Sequence, residues 1–124
     1  MKFYLAPMEG ITGHIYRNSY EKYFHNIDKL LFEKVILDFD SCNVSLKTKE
    51  LKDLLPQNNK GLNIVPQILT NDAEGFILTA NKLKQLGYEE INLNLGCPAG
   101  TVVSKKRGSG FLAYPEELDK FLDE

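Results

Sequence analysis

The sequence predicts an α/β protein built from successive strand–helix units around a parallel sheet. Two observations carry that expectation. Four short apolar runs recur along the 124 residues, separated by stretches with helical periodicity. Three of those runs end in polar or conformationally special residues, where βα proteins place their functional groups. A doubly wound sheet and a (β/α) barrel both fit the alternation.

"FYLAPM" at 3–8 is a short apolar run ended by Pro7, as expected of a buried strand and its exit. Thr12 is placed to cap a helix through about Phe24, with Ile15, Ser19 and Tyr23 on one face. "KLLFEKVI" at 29–36 reads as a second strand, and "SLKTKELKDLL" at 45–55 as a helix stopped by Pro56. "LNIVPQI" at 62–68 is a third strand, interrupted near its end by Pro66. Asp72 caps the helix "AEGFILTANKLKQL", whose Phe76, Ala80, Leu83 and Leu86 share a face and whose stop signal is Gly87. "EEINLNLG" at 89–96 is the fourth strand. Pro115 opens a last helix, "PEELDKFLDE", with carboxylates gathered in its first turn.

Length allows one domain, and a composition of 43% hydrophobic and 26% charged residues is that of a soluble globular chain. The net charge of −2 gives no general attraction to nucleic acid or anionic membranes, so any basic site is local. Cys42 and Cys97 are too few for a disulfide framework and lack metal-ligand spacing, so no metal is expected. A reduced, cytoplasmic setting is the default. The apolar start is too short for a signal peptide, and no run approaches a membrane span. The chain stops at Glu124 inside an amphipathic helix, which suggests a truncated domain.

The stretch "INLNLGCPAGTVVSKKRGSG", 91–110, is least like ordinary core or loop. Asn92 and Asn94 alternate with apolar residues, so on a strand both amides share one face. They either bond to neighbouring strand ends or face a flat, amide-bearing ligand. Gly96 permits a sharp turn or close approach, and Pro98 blocks further strand pairing, which holds Cys97 at the rim. Pro7–Glu9 and Gln67 fall on the same side of the sheet. A thiol's ordinary pKa is about 8.5, so it can donate a proton without activation. No basic partner for Cys97 is assignable, since His14 and His25 lie near the first helix, and the acid role fits better than the nucleophile. The plain alternative is a small buried residue in a turn. Lys105, Lys106 and Arg107 are either solvated loop charges or a local phosphate contact, and Gly108 and Gly110 either turn residues or something more.

"LAPMEGIT" at 5–12, "VPQI" at 65–68 and "LNLGCPAGTVVSKKRGSGFL" at 93–112 together resemble the tRNA-dihydrouridine synthases. The most specific element is the spacing from Cys97-Pro98 to Val102, Lys105, Gly108-Ser109 and Leu112. The resemblance covers essentially the whole chain and implies an FMN-dependent (β/α)8 TIM barrel that reduces a uridine in tRNA to 5,6-dihydrouridine, with NADPH as reductant. It implies that Pro7, Met8 and Glu9 lie along the flavin, mostly through backbone atoms, and that Gln67 bonds to its ring. Asn94 would hold the target uracil and Cys97 would protonate C5 after hydride reaches C6. Lys105 would contact RNA or shape the site.

Gly110 and Phe111 depart from the family's usual small residue and leucine, which should alter loop packing more than chemistry. By the resemblance, residues 1–124 are the N-terminal half of the barrel, about four βα units, with the remaining strands and a C-terminal helical domain absent. Such a piece is expected to be inactive alone and to associate through its open edges. A dihydroorotate dehydrogenase-like flavin barrel is the nearest alternative, although serine usually stands there in place of Gly96. A catalytically silent RNA-binding or assembly fragment is the other.

Overall fold

The computed structural model describes residues 1–35, 38–40, 43–45 and 52–124, and side chains outside 32–51. In chain order the elements are β1 (Tyr4–Leu5), α1 (His14–Phe24), β2 (Lys29–Val35), β3 (Asp38–Asp40) and β4 (Asn43–Ser45). There follow β5 (Ile64–Ile68), α2 (Ala73–Gln85), β6 (Asn92–Leu93), α3 (Gly100–Val103) and α4 (Pro115–Asp123). Short 3-10 segments cover Pro56–Asn58 and Gly108–Ala113.

β1, β2, β5 and β6 pair in that order, all parallel. Spatial order follows chain order, without the reversal that defines a doubly wound sheet. The four strands curl as the N-terminal half of a TIM barrel, which closes at eight strands. β5 sets the layers. Its Val65, Gln67 and Leu69 alternate with Pro66 and Ile68, and all five are buried, as a strand covered on both faces requires. Ile68 joins Leu54 and Leu83 in a core completed by Ile64, Phe76, Tyr88 and Ile91. The opposite face carries Gln67 toward the inside of the half-barrel.

Pro66 does not interrupt the strand. β5 runs through it, and the irregularity falls in β2 instead, where the register slips between Phe32 and Val35. A proline lacks the N–H that a regular ladder would use. The helix expected over 45–55 lies mostly outside the described residues, as does Cys42. Within them, Asn43–Ser45 pairs antiparallel with Asp38–Asp40 as a separate hairpin, and only residues 52–54 are helical. In its register Phe39 stands opposite Val44.

α2 forms as its periodicity requires. Asp72 accepts the Gly75 N–H at 3.2 Å, and Gly87 adopts φ 94° just past the helix end. α4 begins at Pro115 with Glu116 and Glu117 in its first turn. Its Phe121 lies edge-on to both Phe76 and Phe111, with ring centroids 5.5 Å apart in each pair.

α1 departs from expectation. Gly13 is its N-cap residue, and Thr12 is spent on the preceding loop, its hydroxyl bridging the N–H and C=O of Met8. Capping comes from a distant segment: the Asp53 carboxylate accepts the His14 N–H at 3.1 Å and also pairs with the His14 ring. Arg17, 1% exposed, donates to the carbonyls of Thr12 and Asp53 and to the Asn59 side chain. The helix therefore buries a polar face. Ile15 and Tyr23, which share the face read from the sequence, are 73% and 70% exposed.

Burial alone would raise the Asp53 carboxyl, but the His14 hydrogen bonds and the His14 and Arg17 charges outweigh it and hold its pKa below the ordinary 3.8. A carboxyl depressed in the folded state stabilises above its unfolded value and loses that contribution as pH falls through the folded one. Asp53→Ala should therefore cost about 1–2 kcal/mol at neutral pH, shrinking below about pH 4. Urea unfolding at both pH values checks this; an equal loss at both would contradict it.

Candidate functional site

A cavity of about 180 Å³ opens at the C-terminal ends of the parallel strands, and Pro7, Glu9, Gln67, Asn94 and Cys97 all line it. Leu69 and Val102 supply its apolar surface. A larger hollow of about 530 Å³ lies at the opposite end, between the segments leading into β5 and β6. It contains none of the predicted site residues, and that end of a barrel serves stability. The smaller cavity is the one that gathers the predicted site residues.

The loop after β1 is folded by its own backbone. The Met8 carbonyl accepts the N–H groups of Ile11 and Thr12 at 3.0 and 3.1 Å, and its N–H goes to Thr12 Oγ1. This turn presents Pro7 and Glu9 to the cavity. Met8 itself is 49% exposed and is not among the lining residues, and its backbone groups are already engaged.

Strand register builds the polar wall. Gln67 lies directly opposite Asn92 in the β5–β6 pair, and Asn94 follows two residues on, on the same face. Three amides then connect in series. Asn94 Oδ1 accepts the backbone N–H of Gly96 at 3.0 Å and of Cys97 at 2.9 Å. Both donors are backbone groups, so the accepting atom must be oxygen, and Asn94 has one orientation. Its Nδ2 donates to Gln67 Oε1 at 2.8 Å, and Gln67 Nε2 donates to Asn92 Oδ1 at 3.0 Å. Of the two options the sequence left for these asparagines, the structure shows hydrogen bonding to a neighbouring strand end for both, and Asn94 also lines the cavity.

Cys97 is half-buried, and its peptide is held from both sides. Asn94 takes its N–H, while its carbonyl accepts the N–H and hydroxyl of Ser109, both at 3.1 Å. Gly108 makes that approach possible. A Cβ there would stand 2.6 Å from the Cys97 oxygen, and its φ of 56° also favours glycine. At Gly110 a Cβ would meet the Val103 backbone at 2.8 Å. Both glycines are close-approach residues rather than simple turn formers. The clamp by Ser109 was missed because hydrogen bonding across 12 positions leaves no periodic trace; the only signal was the Gly-Ser-Gly triplet itself.

The three cations separate. Lys106 pairs with Glu117 at 2.7 Å and sits 4.0 Å over the Tyr114 ring, and Arg107 Nε donates to Asn71 Oδ1 at 3.2 Å. Lys105 is exposed, outside the cavity, with no side-chain partner among the described residues. Among those residues there is also no cluster of three or more His, Cys, Asp or Glu able to hold a metal, and no helix long and apolar enough to cross a membrane.

The cavity lies beyond the strand ends of a parallel half-barrel, the end at which βα-barrel enzymes carry their active sites. The sequence model described as "Dihydrouridine synthase (Dus)" matches residues 4–124, and the chain belongs to that family. It is 33% identical to the tRNA-dihydrouridine(16) synthase of Vibrio vulnificus (strain CMCP6), over 94% of this chain and 37% of the relative. It is 29% identical to tRNA-dihydrouridine synthase B of Vibrio cholerae serotype O1, over 95% of this chain and 35% of the relative. With the tRNA-dihydrouridine(16) synthase of Neisseria meningitidis serogroup B the identity is 29%, over 90% and 34%. The chain thus spans little more than a third of the length of these curated relatives.

Gly108→Ala should destabilise the chain by about 1–3 kcal/mol, as forced overpacking does. Gly100→Ala, where nothing lies within 4 Å of the added carbon, should change stability by under about 0.5 kcal/mol. Urea unfolding of the two variants side by side measures both; equal effects would refute the close-approach role.

Proposed function

We propose that this chain is the N-terminal part of a flavin-dependent (β/α)8 catalytic domain that reduces uridine in tRNA to 5,6-dihydrouridine. The observation that carries the reading is the convergence of Gln67, Asn94 and Cys97 on one cavity at the strand ends.

The residues present fit FMN and a uracil ring by their donor set. Both acceptor positions of Asn94 Oδ1 are taken by backbone N–H groups, and Gln67 Oε1 already accepts from Asn94. Asn94 and Gln67 each keep one N–H to offer and Gln67 Oε1 one acceptor position, which suits the carbonyl and N–H groups of flat imide rings. A cavity of about 180 Å³ is below the usual ~300–1,000 Å³ of a ligand site, so these residues form one wall of the site. When bound, FMN reduced by NADPH would supply the hydride that reaches uracil C6.

Gln67 is assigned to the flavin ring, and Pro7 and Glu9 to its edge. Met8 acts through the turn it closes, since its own N–H and carbonyl are engaged with Thr12 and Ile11. Asn94 holds the uracil carbonyl side. Cys97 gives its proton to C5: the S–H bond breaks, the C–H bond forms, and the thiolate regains a proton from solvent through the open cavity. The uridine must leave its stack to reach such a wall, with an unstacking cost of a few kcal/mol. Lys105, exposed beside the site, is assigned to an RNA phosphate. A substrate of this kind places the enzyme in the cytoplasm.

The test is dihydrouridine in tRNA from cells producing the complete catalytic domain that contains this chain. Cys97→Ala should lower its rate of formation by about 100-fold or more, the usual contribution of a general acid. An undiminished rate would remove Cys97 from the acid role, and no dihydrouridine with the wild type would overturn the reading.

A further inference from the structure

We propose that Asn92 is a positioning residue that sets the geometry of Gln67, Asn94 and, through them, the Cys97 loop. As a role in dihydrouridine formation this rests on the function proposed above; as a physical linkage it does not.

The argument begins with Gln67. Its side-chain amide is asymmetric, and the residue is only 7% exposed, so the orientation that leaves the fewest buried groups unpaired prevails. Asn92 Oδ1 stands 3.0 Å from Gln67 Nε2. By accepting there, it holds Gln67 with Oε1 toward Asn94 Nδ2, 2.8 Å away, the polarity that the backbone N–H groups at the far end require. Asn94 is then held with its oxygen over the turn, where it takes the N–H groups of Gly96 and Cys97. Each bond requires the polarity of the one before it. If Gln67 turned over, its nitrogen would meet Asn94 Nδ2, donor against donor, and Asn94 could not turn over in response without losing both backbone bonds.

Asn92 closes the strand end of the relay, as the member placed directly across the β5–β6 register from Gln67. It is not among the residues lining the cavity. Asn92 therefore acts through its neighbours, orienting the two amides that line the cavity. The same arrangement fixes the turn that carries the thiol. One side chain, outside the cavity, aligns the flavin-side amide, the uracil-side amide and the proton donor.

The chain of bonds predicts a rescue pattern. Asn92→Ala removes the acceptor and leaves Gln67 Nε2 without its partner. Asn92→Asp keeps an oxygen acceptor in the same place. Backbone amide hydrogen exchange, resolved by nuclear magnetic resonance on the chain without flavin or tRNA, reads the far end of the relay. In Asn92→Ala the Gly96 and Cys97 amides should exchange about tenfold faster, the loss expected when one neutral hydrogen bond is given up. The amides of α2 should keep their wild-type rates. Asn92→Asp should restore slow exchange at Gly96 and Cys97. Alkylation of Cys97 by iodoacetamide, followed on its own tryptic peptide to separate it from Cys42, should change in Asn92→Ala and return to the wild-type rate in Asn92→Asp.

Unchanged exchange at Gly96 and Cys97 in Asn92→Ala, or failure of Asn92→Asp to restore it, would overturn the proposal. If Asn92→Ala also speeds exchange in α2, the fold has been lost, and Asn92→Leu decides. That variant fills a similar volume without an acceptor for Gln67, so faster exchange at Gly96 and Cys97 with α2 unchanged supports the relay and unchanged exchange refutes it. A negative dihydrouridine assay would leave a positive exchange result standing. A negative exchange result would leave the family's reaction untouched.

Discussion

The site depends on the parallel register of β5 and β6. Because Gln67 stands opposite Asn92, the period-2 alternation of strands places Gln67, Asn92 and Asn94 on one face. A slip of one residue would turn the amides of the slipped strand to the other side of the sheet and its apolar residues into the barrel interior. The register is secured on the helix side, where Ile68 packs with Leu54 and Leu83. Hydrophobic packing on one face thus determines hydrogen bonding on the other. Burying Ile68 and its neighbours stabilises by about 25 cal/mol per Å² of apolar area; the amides add direction more than energy.

The cysteine is placed by contacts that apolar packing could not supply. Its N–H and C=O are held by Asn94 and Ser109, and the second contact needs a backbone at position 108 with no Cβ. The loop is tied down beyond the turn by Phe111, which is 1% exposed and meets Phe121 edge-on. Phe111 is larger than the leucine usual in the family, and it occupies the aromatic cluster, away from the cavity. On the other side of the site, Arg17 and Asp53 anchor the α1 end of the loop after β1. The two halves of the cavity rest on different physics: a buried polar network beneath Pro7–Glu9, and an aromatic and glycine-rich contact beneath Cys97.

Much of this was legible in the sequence because periodicity and punctuation report local structure. The α2 cap at Asp72, the stop at Gly87 and the start of α4 at Pro115 each depend on neighbours within one turn. The family motif also located the cysteine loop. What escaped were choices made by distant residues. Thr12 has the chemistry of a cap, yet Asp53 takes that place from 39 positions away, and the polar face of α1 is buried because Arg17 finds carbonyls there. Pro66 reads as a break, but a parallel neighbour can absorb the missing N–H as a slip in its own register. Whether the asparagines served the strands or a ligand was undecidable from spacing, because it turns on the orientation of an amide set by two backbone N–H groups.

The most direct test of the central claim is to titrate the nitrogen-labelled chain with FMN and follow the side-chain amide resonances of Gln67, Asn92 and Asn94. If these amides form the wall that holds the ring, Gln67 should shift saturably, Asn92 and Asn94 should follow through their hydrogen bonds, and Lys60 and Glu90 at the opposite end should stay still. Resonances that remain fixed at all three amides, or that move only at the opposite end, would contradict the assignment of this cavity as the site.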